Sequence, residues 1–148
     1  MHIVRSTLMA QYTVLCVDDD ESMCELYEAA FAAWGHRAQS TMSPVQALKT
    51  ILVEGERFDA VLLDYEMPAI NGAELAAEIR KIRPSLPLIL TSGNAYIMQA
   101  APPFVDLAIP KGSDLASLIS QIEDLIAIRR KAKSPNEVRW TVSDAASA

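Results

Sequence analysis

The residues of this chain best suited to chemistry are a run of three acids, Asp18-Asp19-Asp20, with Asp64, Ser92 and Lys111 far along the sequence. Each sits at or just past the end of a short apolar run. Carboxylates brought to about 5 Å repel one another by about 3 kcal/mol per pair at an effective dielectric near 20, so such a cluster recruits a cation. All-oxygen ligands favour Mg²⁺, which binds through a few carboxylates, keeps several waters and often shares a phosphate. Lys111 adds a mobile positive charge and Ser92 a hydroxyl donor, both suited to phosphoryl oxygens. An acceptor carboxylate, a metal and two anion-stabilising groups are the equipment for an aspartyl phosphate. Taken singly, each residue has a plainer reading, because Asp and Ser commonly end strands and cap helices. The combination carries the expectation.

The elements that must position these groups follow from the apolar patterning. Residues 12–17 form a nearly continuous apolar run, as in a strand buried on both faces, and end in the acidic triplet. Met23, Leu26, Tyr27, Ala30, Phe31 and Trp34 then lie on one helical face, closed by Gly35. A weak strand is expected at 36–40. Ser43-Pro44 opens a second helix, with Val45, Leu48, Ile51 and Leu52 as its apolar face. Residues 58–63 are a buried strand running into Asp64, and a loop leads to a helix on which Leu75, Ile79 and Ile82 share a face before Pro84 and Pro87. Residues 88–91 form the fourth strand, 95–101 a short helix stopped by Pro102-Pro103, and 105–109 the fifth strand. Ser113 is expected to cap a last helix carrying Leu115, Leu118, Ile119, Ile122, Leu125 and Ile126. Its final turn holds Arg129, Arg130, Lys131 and Lys133, which suits the helix dipole, with a basic docking patch as the other reading.

Strands alternating with helices imply an α/β fold, a doubly wound five-stranded parallel sheet with helices on both faces. Right-handed crossovers place every strand C-terminus on one edge, where ligands bind. Asp18, Asp19, Asp64, Ser92 and Lys111 should therefore meet. The organisation expected is a leader over 1–11, one domain over 12–133 and a flexible tail over 134–148, in which Val138, Trp140 and Val142 alternate.

The balance of 13 Lys and Arg against 19 Asp and Glu, a net charge of −6, argues against direct nucleic-acid binding. No apolar run approaches a membrane span and the start lacks a signal-peptide core, so a cytoplasmic protein without membrane insertion is expected. Cys16 and Cys24 lack a second Cys or His pair at metal spacing, so both read as free buried thiols. His36, after Gly35, is not expected to be a ligand.

These motifs together make the chain resemble the response-regulator receiver domain of two-component signalling. The matching residues are 14–20 (Val-Leu-Cys-Val-Asp-Asp-Asp), Asp64-Tyr65-Glu66-Met67-Pro68 with Asn71-Gly72, Thr91-Ser92-Gly93 and Lys111. The resemblance implies a flavodoxin-like strand order of 2-1-3-4-5. It implies that Asp64 accepts a phosphoryl group from a histidine kinase or histidine phosphotransfer protein, in a phosphoacceptor that assists its own phosphorylation and dephosphorylation rather than an enzyme. Asp18, Asp19, Asp64 and the backbone carbonyl of Glu66 would hold Mg²⁺, and Ser92 and Lys111 would grip the phosphoryl oxygens. Asp20 is expected to begin the first helix instead. Glu66 and Asn94 fall where the family tunes phosphoryl lifetime. With no second domain after the last helix, output would pass to a downstream protein partner from a stand-alone receiver, and a homodimer fits the same reading.

Three features depart from that pattern. Lys111 is followed by Gly112 and preceded by Pro110, so a trans peptide and an altered turn are expected. Pro110 is tolerable if the fifth strand is a sheet edge. Ala108 stands where the family commonly has a switch aromatic, and Pro102-Pro103 reshapes the segment that usually carries output. These leave open a receiver-like docking module that is not phosphorylated. An aspartate-nucleophile phosphohydrolase, with Asp18 and Asp20 as nucleophile and acid, would need an acidic pair after strand four, where Ser92-Gly93-Asn94 stands. A dinucleotide or flavin binder would need a Gly-rich loop after the first strand, where three acids repel phosphate.

Overall fold

The computed structural model describes residues 10–96 and 103–147, of which 133–147 through their backbone alone. Elements alternate as β1 (Thr13–Val17), α1 (Glu21–Ala33), β2 (Arg37–Thr41), α2 (Pro44–Glu54), a 3₁₀ turn at Gly55–Arg57, β3 (Ala60–Asp64), α3 (Gly72–Ile82), β4 (Leu88–Ser92), β5 (Leu107–Pro110) and α4 (Leu115–Ser147). The strands form one parallel sheet in the order β2-β1-β3-β4-β5, the doubly wound arrangement expected. The short helix expected over 95–101 falls largely on 97–102, outside the described residues.

Side-chain alternation on the central strands builds two cores. Val14, Cys16 and Leu62 face one layer with Tyr27 and Phe31 of α1 and Ile119 and Ile122 of α4. Leu15, Val17 and Leu63 face the other, with Ile51 of α2 and Leu75 and Ile79 of α3. Every residue of β3 and β4 is buried, which is why those strands read as unbroken apolar runs. Cys16 and Cys24 are free and buried. Burial pushes the Cys16 thiol well above its ordinary value.

Local signals set the helix starts. Asp20 caps α1 through Ser22 N–H, Ser43 caps α2 through Gln46 N–H ahead of Pro44, and Asn71 and Glu74 form a reciprocal capping box on α3. The cap of α4 is Asp114, whose Oδ1 accepts from Ser117 N–H at 2.8 Å, not Ser113. A carboxylate is the stronger acceptor at a positive helix end. No glycine follows Gly112 to close this helix, and it continues through Pro135 to Ser147, across the 134–147 stretch read from composition as a separate tail.

The apolar face of α2 is rotated from that expected, whereas α1 keeps the expected face except at Leu26. Leu26 is exposed and Cys24, Tyr27 and Phe31 make the seam of α1. On α2, Ala47, Thr50 and Ile51 are buried, while Val45 and Leu52 are each 62% exposed. A small residue at position 47 lets α2 lie close to the sheet, and the larger aliphatics are left on its outer side. Strand boundaries shift by one or two residues, β2 to Arg37–Thr41, β3 to Ala60–Asp64 and β5 to Leu107–Pro110.

His36 is structural. Its ring is buried, Nδ1 accepts Tyr12 N–H at 3.1 Å and Nε2 lies 2.7 Å from Glu123 Oε2, so it clasps the start of β1 to α4. Because Tyr12 N–H must donate to Nδ1, the proton is on Nε2, facing Glu123.

Gly72 ties the fold to the strand ends. A Cβ there would lie 2.5 Å from the Asp64 carbonyl oxygen and 2.7 Å from Leu90 Cδ1, so α3 can start against β3 only without a side chain. Gly72→Ala is expected to cost about 1–3 kcal/mol of unfolding free energy by overpacking, measured by urea denaturation. A change under about 0.5 kcal/mol, typical of an unconstrained surface position, would show that the approach is not tight.

A carboxylate and lysine cluster at the strand C-termini

The apolar run of β1 carries the chain to the upper edge of the sheet and ends with Asp18, whose Oδ1 turns back to accept Asp20 N–H at 2.9 Å. On the neighbouring strand, Asp64 is the last residue of β3, and its Oδ1 accepts Glu66 N–H at 3.3 Å. Both carboxylates are buried, at 0% and 2% exposure, whereas Asp19 is exposed. Asp18, Asp19 and Asp64 each offer an oxygen, and these lie within 4.8 Å of one another. Asp20 stands apart as the cap of α1.

Lys111 reaches this pair from the end of β5. Its backbone N–H continues the β4–β5 ladder to Ser92 O at 3.0 Å, past Pro110, which has no N–H to give. Pro110 lies on an edge strand, as expected, and no cis peptide occurs among the described residues. The ammonium Nζ lies 3.3 Å from Asp18 Oδ2 and 3.1 Å from Asp64 Oδ2. Burial works against its charge, but the hydrogen bond to Asp64 and the charges of Asp18 and Asp64 outweigh it and hold the amine above its ordinary value.

Ser92, the last residue of β4, donates its hydroxyl to Glu66 Oε1 at 2.5 Å and accepts Asn94 N–H at 3.0 Å. The sequence places Glu66 both as a backbone carbonyl toward the metal and at a lifetime-tuning position, and its side chain here accepts the serine hydroxyl. Partial burial opposes the Glu66 charge, but the Ser92 bond foremost outweighs it and keeps the carboxyl below its usual range. Tyr27 reads in the sequence as a core residue, and its phenol in fact lies beside the site. Burial first, then the Asp18 charge, pushes it up to about 12. The only signal was a tyrosine where a phenylalanine would pack equally well.

Burial and, less strongly, the Asp18 charge push the Asp64 carboxyl up to about 6, against the opposing pull of Lys111. One ammonium does not satisfy two carboxylates. Asp18 Oδ2 and Asp64 Oδ2 are buried without a hydrogen bond of good geometry, their ion pairs to Lys111 apart. Two orphaned carboxylate oxygens beside an exposed third carboxylate fit a small hard cation.

This sheet order and this set of strand-end residues are those of a receiver domain. The family model of the response regulator receiver domain matches residues 14–123, and the chain belongs to that family. It is 30% identical over 128 residues to the transcriptional regulatory protein ZraR of Klebsiella oxytoca, covering 84% of this chain and 28% of that protein. It is 31% identical over 118 residues to the DNA-binding transcriptional regulator NtrC of Azospirillum brasilense, covering 78% and 24%. The chain thus spans about a quarter of these relatives' length. Among solved structures, a CheY-like receiver domain protein from Methanospirillum hungatei superposes with a TM-score of 0.72 at 23% identity, covering 83% of this chain and 99% of that one. The response regulator TrrA of Thermotoga maritima, in complex with Mg²⁺ and BeF, gives 0.71 at 27% identity, covering 78% and 99%.

An acid whose folded value of about 6 lies above its ordinary 3.8 favours the folded state when protonated. That stability is present in full below the ordinary value and is lost as pH rises through 6. Asp64→Asn, which removes the buried charge, is therefore expected to raise the unfolding free energy by about 1–3 kcal/mol near pH 7.5 with a chelator present. The gain should shrink toward about pH 5, where the parent carboxyl is largely protonated. Urea denaturation of both proteins at the two pH values checks this, and a pH-independent difference would refute it.

Proposed function

We propose that this receiver domain is phosphorylated on Asp64 by a histidine kinase or histidine phosphotransfer protein and signals through a changed protein interface. The observation that carries this is Lys111 Nζ set between the buried Asp18 and Asp64 carboxylates, whose Oδ2 atoms have no hydrogen bond of good geometry beyond that ion pairing. An Asp64 oxygen attacks the phosphorus, the new O–P bond replaces the P–N bond to the donor imidazole, and the imidazole leaves. Asp18, Asp19 and Asp64, with the Glu66 carbonyl, would hold Mg²⁺, which would supply neutralisation of phosphoryl charge when bound. Lys111 transfers part of its ion pairing from Asp64 to the phosphoryl oxygens. Ser92 offers its hydroxyl to another of those oxygens after release from Glu66, so Glu66 sets how readily that donor becomes available. A cytoplasmic location suits a kinase partner of this kind.

A second reading, a docking module that needs no phosphorylation, is favoured by Ala108, which pairs with Leu90 in β5 and supplies no aromatic side chain to change position. The two readings differ in what phosphate does to partner affinity, because a switch requires differential affinity between states.

Incubation with acetyl phosphate and Mg²⁺, followed by intact mass, is expected to show a single-phosphate adduct that is lost in Asp64→Asn. No adduct, or an adduct unchanged in that variant, would overturn the Asp64 assignment. Glu66→Gln weakens the grip on Ser92 and is expected to raise the initial rate of adduct formation several-fold, as fits removal of a charge-assisted hydrogen bond. A slower rate would show that Glu66 helps rather than restrains the acceptor.

A further inference from the structure

At the lower end of the sheet, beneath the strand N-termini, lies a cleft of about 750 Å³ that the phosphoryl chemistry does not use. Its walls are the Gly55–Arg57 turn, the loop over 83–87 and one side of α4 as far as Ala132. Asp64 and Ser92 end β3 and β4, whereas Phe58 and Pro87 precede those strands. At about 3.3 Å per strand residue, the cleft is some ~17 Å from the carboxylate cluster.

The chemistry of the cleft is amphipathic. Phe58, Ile82, Leu86 and Ile126 supply an apolar floor, and Arg83, Arg129 and Arg130 stand round it. Two of these arginines are held by acids of the fold, Arg129 by Asp106 and Arg130 by Asp59. Arg83 differs. Its ion pair is a long 3.9 Å contact with Glu56, whose side chain is 90% exposed, and its Nε is buried without a hydrogen-bond partner. Gly55 makes room for it, since a Cβ at that position would lie 2.5 Å from Nε. The terminal nitrogens of Arg83, on a side chain 30% exposed, have only that long contact as an ion pair among the described residues. Glu56 and Asp59 line the same cleft, so Arg83 is the arginine whose charge is least closely matched.

The walls are also stiff. Arg80 Nη1 donates to Pro84 O at 3.0 Å and Leu86 O at 2.7 Å, and Arg129 Nη1 to Ser85 O at 3.4 Å, so the loop is pinned from both sides. A preformed surface of this kind gives up little freedom on binding.

We propose that this cleft docks an acidic protein segment that presents an aliphatic or aromatic side chain next to a carboxylate, with Arg83 as the principal anion contact. The apolar side chain enters over Phe58 and Leu86. The carboxylate accepts from the two terminal nitrogens of Arg83, Nε being covered by Gly55, in a forked geometry that arginine offers. Nucleic acid fits less well, because phosphates would leave the apolar floor uncovered. The basic residues of α4, which suit a helix C-terminus in the sequence, thereby gain a use at this pole.

The test is titration of the ¹⁵N-labelled full chain with a synthetic peptide alternating Asp or Glu with Leu and Phe. The expected result is saturable binding with amide shifts confined to residues 55–59, 83–86 and 126–132. Affinity should fall about tenfold in Arg83→Gln, with Arg83→Lys in between, since the charge survives there without the fork. Circular dichroism of both variants should match the parent, because the Arg83 side chain is partly exposed and no helix depends on it. Equal binding of a peptide with Asn and Gln in place of the acids, shifts centred elsewhere, or unchanged affinity in Arg83→Gln would overturn the proposal. So would the same shifts from inorganic phosphate alone at equal concentration, which would mark a small-anion site instead.

Discussion

The upper edge of this molecule is organised by the repulsion between two buried carboxylates that one ammonium only partly relieves. Asp18 and Asp64 sit on neighbouring strands, so their separation is set by the sheet and cannot relax. Lys111 spans both, and each carboxylate still keeps an oxygen without a hydrogen bond. Two unit charges about 5 Å apart at an effective dielectric near 20 repel by about 3 kcal/mol, a sizeable share of the 5–15 kcal/mol by which domains are typically stable. The fold tolerates this because β1, β3 and β4 are otherwise mainly apolar and packed on both faces. The strain is local, and it points outward to whatever brings positive charge.

The rest of the upper edge serves that pair. The main-chain N–H of Asp20 fixes one Asp18 oxygen, that of Glu66 fixes one Asp64 oxygen, and the ladder bond from Lys111 to Ser92 returns the lysine to the site despite Pro110. Gly72 brings the first turn of α3 against the Asp64 carbonyl, leaving no slack between acceptor strand and following helix. A displacement of the Asp64 main chain must therefore be shared with α3. Ser92, held by Glu66, gives the opposite arrangement, a group that moves by exchanging one acceptor for another.

What the sequence made legible was whatever is written in neighbouring residues. Apolar runs that stop at Asp18, Asp64 and Ser92 announce strand ends, and the alternation of elements is enough to bring those ends together. Caps are equally local, so Asp20 and Ser43 could be read directly. The faces of α2 could not, because Val45 and Leu52 share the helical period with Ile51, and it is the small Ala47 that decides which side approaches the sheet. Asp114 rather than Ser113 caps α4 for a similar reason, since two good capping residues stand side by side and the geometry of the turn after Lys111 selects between them. The Glu66–Ser92 bond, the Arg80–Asp106–Arg129 network and the clasp from His36 to Glu123 span 23 to 87 residues and carry no spacing signal.

Pro110 has a meaning beyond the turn it precedes. A parallel sheet of this kind has two open borders, and a border with free amides and carbonyls is a template on which another chain can add a strand. At the β5 border the strand is four residues long and its last residue has no amide proton to offer. The nearest anchoring charge, Lys111, is drawn inward. Self-association by sheet extension is thus discouraged on the side next to the carboxylate and lysine cluster.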